Sequence, residues 1–209
     1  MHRRIETMGL LFVPRGAPRG LVCFLHGVGE SAEGAGHTYD RLQRLLRHGS
    51  PAALADGGSP LVEGHLVLCP QLPERRSWEQ REAEWVDLLV SDALREHGGG
   101  AGPLPLLLTG FSRGGEGVFQ LAAASKHRWS ALWAVDPALR PDTPPPPPAG
   151  ARVLVHHGTE QPGAEHRPAF NARIERAGGA VVALAADHTQ TCRQAYSDPE
   201  AWARLLGAS

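Results

Sequence analysis

Short, almost wholly apolar runs alternate along the chain with longer stretches in which apolar residues recur every three or four positions. The runs are GLLFV (9–13), GLVCFL (20–25), HLVLC (65–69), LPLLLT (104–109), ALWAV (131–135), RVLVH (152–156) and AVVALA (180–185). Each has the length of a strand, and continuous apolarity is what a strand covered on both faces requires. Between them, TYDRLQRLL, SWEQREAEWVDLLVSDALREHG, GGEGVFQLAAAS, EHRPAFNARIERAGG and DPEAWARLL read as helices. In the second of these, Trp85, Leu88, Leu89 and the stretch from Asp92 to Leu94 keep the helical repeat, and a run of glycines closes it. Such alternation implies right-handed crossovers and a mostly parallel, doubly wound sheet of about seven strands with helices on both faces. The expected product is one three-layer α/β domain over residues 1–209. No long insertion interrupts the alternation, so little or no cap is expected above the strands. The low-complexity stretch RPDTPPPPPAG (140–150), with its prolines at 144–148, reads as a stiff extended connector between two strands.

Composition narrows the function classes. Hydrophobic residues make up 42% and charged residues 21%, the balance of an ordinary globular protein. A net charge of −1 with scattered arginines offers no basic surface for nucleic acid. No stretch reaches the ~18 apolar residues of a membrane helix. The apolar run from Leu10 to Val13 ends at Pro14, too short for a signal-peptide core, and a cytoplasmic location is expected. The cysteines, Cys23, Cys69 and Cys192, are odd in number, and two lie in strand-like runs, so a disulfide framework is not expected.

Sites in such sheets gather at the carboxyl ends of the strands. After LPLLLT comes Gly110-Phe111-Ser112-Arg113-Gly114, a G-x-S-x-G sequence with a strand before it and a helix after it. Glycines belong there because the turn is so tight that side chains would collide with the neighbouring strand and helix. The turn lifts the Ser112 hydroxyl above the sheet as a candidate nucleophile, and the Arg113 N–H at the helix start is a candidate oxyanion donor. After GLVCFL comes HGVGES, one crossover earlier, where Val28 or Gly29 can supply the second donor. His26, Glu30, Trp78 and Arg113 are candidate pocket-lining residues. After AVVALA comes Asp187-His188-Thr189, which places His188 as the base that a serine nucleophile needs. His156 and His157 are adjacent and point to opposite sides of a strand, so no metal site is assigned to them.

The segments FLHGVGES, HGSPAALADGG, VLCPQLPERRSW, LLLTGFSRGGEG, HHGTEQP and AYSDPEAWARLL resemble, in that order, α/β-hydrolase esterases grouped with dienelactone hydrolases and with polyhydroxybutyrate or feruloyl esterase-like "predicted peptidases". The resemblance covers nearly the whole chain. It implies an α/β-hydrolase fold and serine ester hydrolysis, with Ser112 and His188 matching nucleophile and base; a small-molecule substrate, with an ester favoured, and no cofactor are expected. It leaves the ester, thioester or peptide nature of the substrate open, and nothing in the sequence sets the oligomeric state.

One part of the pattern breaks. Such hydrolases usually carry the triad acid in a segment like H-G-x-x-D-P, and this chain reads His157-Gly158-Thr159-Glu160-Gln161-Pro162, with a neutral amide in the acid's place. Asp136, followed by Pro137 at the end of the preceding strand, resembles the aspartate-proline segment of pancreatic-type lipases. Adjacent strands are ~4.8 Å apart, so an acid there can reach the same histidine. Asp136 is the favoured acid and Glu160 the alternative. If neither serves, the triad is incomplete and the chain is a non-catalytic binder. Asp187 is poorly placed beside His188, and Asp198 before Pro199 reads as a helix N-cap.

Overall fold

The computed structural model describes residues 2–6, 9–33, 37–99, 102–139, 150–160 and 167–207. The proline connector 144–148 and Gln161 lie outside the described residues. The apolar runs form β2 (Gly9–Val13), β3 (Gly20–Leu25), β4 (His65–Pro70), β5 (Leu106–Phe111), β6 (Ala131–Val135), β7 (Arg152–Gly158) and β8 (Ala180–Leu184). An eighth strand, β1 (His2–Glu6), pairs antiparallel with β2. The expectation of about seven strands omitted it because HRRIE has no apolar run. A charged strand is suited to the end of a sheet, where it discourages pairing with other chains.

The sheet order is β1-β2-β4-β3-β5-β6-β7-β8. From β4 to β8 all neighbours are parallel, and only β1 and β2 run antiparallel to their partners. The helices are α1 (Thr38–Leu42), α2 (Pro51–Asp56), α3 (Ala83–His97), α4 (Arg113–Ala124), α5 (Arg167–Arg176), α6 (His188–Ser197) and α7 (Pro199–Leu206). The stretch read as one helix over 38–46 divides into α1 and a 3-10 turn at Gln43–Leu46. Asp198 caps α7 by accepting the Glu200 N–H at 2.9 Å, with Pro199 in the first helical position.

Side-chain alternation along the strands divides the interior into two cores. Leu21, Cys23 and Leu25 pack with Val86 of α3, Phe119 of α4 and Phe170 of α5. Val22 and Phe24 pack on the other face with Leu45, Ala52 of α2, Tyr196 of α6 and Trp202 of α7. Trp133 of β6 anchors that second core, with ring centroids 4.8 Å from Tyr196 and 5.1 Å from Trp202. Its indole N–H donates to His156 Nδ1 at 2.9 Å, and the Tyr196 and Thr109 hydroxyls lie 2.9 Å apart, so these buried polar atoms keep partners. All three cysteines are buried and free. No helix among the described residues is long and apolar enough to cross a membrane.

The topology also locates a crevice. From β3 the chain goes outward to β4 on one side, then returns to β5 on the other. The loops after β3 and β5 therefore diverge to opposite faces and leave an opening above their carboxyl ends. Ser112 and the segment 26–30 follow those two strands directly.

Candidate active site

Ser112 joins β5 to α4 at φ 58°, ψ −119°, a backbone region that residues bearing a side chain rarely adopt. Several contacts hold it there. The Ser112 N–H donates to Val135 O at 3.0 Å, while its carbonyl accepts the Glu116 and Ala138 N–H groups at 3.2 and 3.0 Å. A Cβ on Gly110 would overlap the Gly114 carbonyl, and one on Gly114 would overlap the carbonyl of Leu25. The glycines thus let the first turn of α4 rest directly on the ends of β3 and β5. We expect Gly114→Ala to lower stability by about 3 kcal/mol, at the upper end for overpacking, because its obstacle is backbone and cannot swing aside. A urea midpoint within error of wild type would contradict that packing.

The loop after β3 faces the elbow. A Cβ on Gly27 would stand 3.3 Å from Ser112 Cβ and 2.9 Å from Glu30 Oε2. Val28–Glu30 forms a 3-10 turn in which Val28 is half-buried and Gly29 exposed. Arg113 is the first residue of α4, so its N–H has no acceptor within the helix. Val28 and Gly29, with Ser31, Glu33, Arg44 and Arg75, line an open cavity of about 490 Å³.

His26 and Trp78 do not line a pocket. Both are buried, at 1% and 0% exposure, and present no surface to a substrate. The Leu72 N–H donates to His26 Nε2 at 2.9 Å, so the ring proton is on Nδ1 and is given to Gly27 O at 2.6 Å. The Trp78 indole donates to His26 O at 2.9 Å and stacks on Trp85, with its own Cβ against Gly117 of α4. These two side chains support the loop from beneath. Glu30 is likewise buried, and its Oε1 lies 3.4 Å from His48 Nε2. Arg113 is half-buried.

Burial pushes the His26 imidazole down to about 4, against the Gly27 carbonyl that pulls it up. His156 is also pushed to about 4 by burial, opposed by Asp198 and reinforced by His157. An unfolded chain protonates such rings near pH ~6.5. Between that value and about 4 the unfolded state binds more protons, so stability falls as pH falls through this window and levels off below it. Urea midpoints should decline accordingly; a midpoint constant from about pH 7 to about pH 4 would mean these rings are not buried neutral.

His188 opens α6, two residues after Ala186 and directly after Asp187, the helix N-cap, whose Oδ1 accepts the Gln190 N–H at 2.8 Å. Its ring is 40% exposed and packs on Phe111, with centroids 4.4 Å apart. The Nδ1–H donates to Asp136 Oδ2 at 2.6 Å. Asp136 follows β6, 1% exposed in its side chain, with φ 41°. Its Oδ1 accepts the Gly158 N–H at 3.1 Å and Arg167 Nη2 at 3.2 Å. Glu160 is exposed, with its N–H donated to Ala186 O at 3.2 Å. Asp136, and not Glu160, is therefore the carboxylate on His188.

The neighbouring His157 is buried, and its Nε2–H donates to Asn171 Oδ1 at 2.8 Å. Its Nδ1 then carries a lone pair, which explains why it lies 4.0 Å from Asp136 Oδ1 without bonding it. His156 turns the other way, toward Trp133. The Phe111 ring and the Gly158 N–H join the site from within motifs that assign them no role, and Arg167 joins it from outside any motif in the sequence.

No family model and no curated protein matches the chain. Solved structures do. A thermostable esterase is 19% identical over 94% of this chain and 57% of its own, with a TM-score of 0.69. A fluorophosphonate-binding serine hydrolase F of Staphylococcus aureus, solved with substrate bound, is 11% identical over 99% of this chain and 97% of its own, with a TM-score of 0.67. A ferulic acid esterase is 13% identical over 95% and 92%, with a TM-score of 0.69. The chain thus spans little more than half the length of the first and nearly all of the other two. Together with the strand order and the serine elbow, these likenesses define an α/β-hydrolase fold.

Proposed function

We propose that the protein is a serine esterase acting on a small ester through an acyl-enzyme on Ser112. The observation that carries the reading is the 2.6 Å bond from His188 Nδ1–H to the buried Asp136 carboxylate, on the same edge of the sheet as a strained elbow serine. That bond fixes the imidazole tautomer, leaving Nε2 as the basic nitrogen. In the proposed reaction Ser112 Oγ attacks the ester carbonyl while His188 Nε2 takes its proton. The tetrahedral oxyanion accepts the N–H of Arg113 and that of Val28 or Gly29. His188 then protonates the departing alcohol, and water repeats the sequence to release the acid. The names of the similar structures, esterases and a fluorophosphonate-binding hydrolase, support the same class.

The rival reading, a non-catalytic binder, rested on the amide at Gln161. A carboxylate on His188 from the neighbouring strand weakens that ground. The two differ in one experiment: a fluorophosphonate probe followed by intact mass. One covalent adduct, mapped to Ser112, is expected of the esterase, whereas a chain that stays unmodified is the binder.

A further inference from the structure

The acid in this site is shared. Asp136 receives His188 on Oδ2 and Arg167 on Oδ1, and Arg167 Nη1 also donates to the carbonyl of Gly158, whose N–H reaches the same Oδ1. The Arg167 side chain is 16% exposed, and its guanidinium clamps the end of β7 to the end of β6. We propose that Arg167 is a positioning residue that draws on the Asp136 charge and so keeps His188 a neutral, working base to lower pH than an unshared carboxylate would. The inference rests on the esterase reading for its catalytic meaning, although the charge sharing itself is independent of it.

A carboxylate beside imidazole favours the protonated ring. A cation on the carboxylate's other oxygen offsets part of that field, and it does so at both ends of the reaction. The Gly158 N–H and Arg167 both hold the Asp136 rotamer alongside the histidine. The other groups around this pair are named by the packing. His157 faces Oδ1 at 4.0 Å and is kept neutral, since burial lowers it. Cys192 of α6 is pushed up by burial and by Glu30 and stays a thiol. Asp187 turns its carboxylate to its own helix, and Glu30 pairs with His48, whose ring is 6.0 Å from that of Phe111. Among the described residues, Arg167 is a permanent cation that touches the acid directly.

The test follows the His188 ring by NMR titration, in parallel with the pH profile of kcat/KM on a p-nitrophenyl ester. In Arg167→Gln the His188 midpoint should move to higher pH by about half a unit, the acid limb of kcat/KM moving with it, so that activity on that limb drops about threefold relative to the plateau. Arg167→Lys, which keeps the charge, should recover most of the shift. Arg167→Met keeps an apolar stem without the charge and makes the same comparison if the Gln variant does not fold. A midpoint equal to wild type in the neutral variants overturns the proposal, as does a uniform fall in kcat with an unmoved limb, the mark of a structural clamp alone. Absence of any ester hydrolysis by the wild type defeats the esterase reading, while the titration still decides the charge sharing.

Discussion

Replacement of Ser112 by alanine is expected to lower kcat on a p-nitrophenyl ester by on the order of 10⁶, the loss seen when a serine nucleophile is removed and only binding and oxyanion contacts remain. The same variant should take no fluorophosphonate adduct. Its stability should hardly change. Alanine carries the same Cβ as serine at φ 58°, so the elbow strain is unaltered, and the Ser112 backbone bonds to Val135, Glu116 and Ala138 are kept. The expected stability difference is within about 0.5 kcal/mol, as for a half-exposed side chain without a packing role. Wild-type hydrolysis by Ser112→Ala would move the nucleophile elsewhere on the chain.

Asp136→Asn should lower kcat by on the order of 10⁴ while the protein stays folded. Asparagine is nearly isosteric and tolerates the left-handed backbone at φ 41°. Its amide oxygen can go on accepting the Gly158 N–H and Arg167, which places the NH₂ against His188 Nδ1. The imidazole must then accept at Nδ1 and carry its proton on Nε2, where it can no longer take one from serine. A modest fall in thermal stability accompanies the change, because Arg167 is largely buried and loses its counter-charge. Glu160→Gln is the matched control. Its carboxylate is exposed and screened, so kcat should stay within about twofold of wild type. A neutral Asp136→Asn beside a crippling Glu160→Gln would return the acid to the loop after β7.

Much of this was legible in the chain. Seven of the strands stand out because a strand buried on both faces must be apolar throughout, as β3, β4 and β5 are. The serine elbow is legible because a turn that tight admits only glycine at positions 110 and 114. The elements that escaped are those stabilised by packing rather than pattern. α2 is too short for a helical repeat. α6, HTQTCRQAYS, is polar and rich in threonine, although Asp187 followed three residues later by Gln190 carries a capping signal that could have marked its start. By sequence, His26 and Trp78 are no more than candidate pocket-lining residues. Their direction, down into the core, is set by the Leu72 N–H and Gly117, both distant in sequence.

By itself, then, the sequence marked the layer architecture, a candidate serine and histidine, and a choice of two candidate acids, because each of these is written in local spacing. Only the tertiary structure showed which of the two carboxylates meets the histidine. The reach from Asp136 to His188 spans 52 positions and depends on β6, β7 and β8 lying side by side. It also brought in Arg167, whose contact with the acid crosses 31 positions. Contacts of that kind arise from strand register and crossover geometry, and no local pattern of residues encodes them.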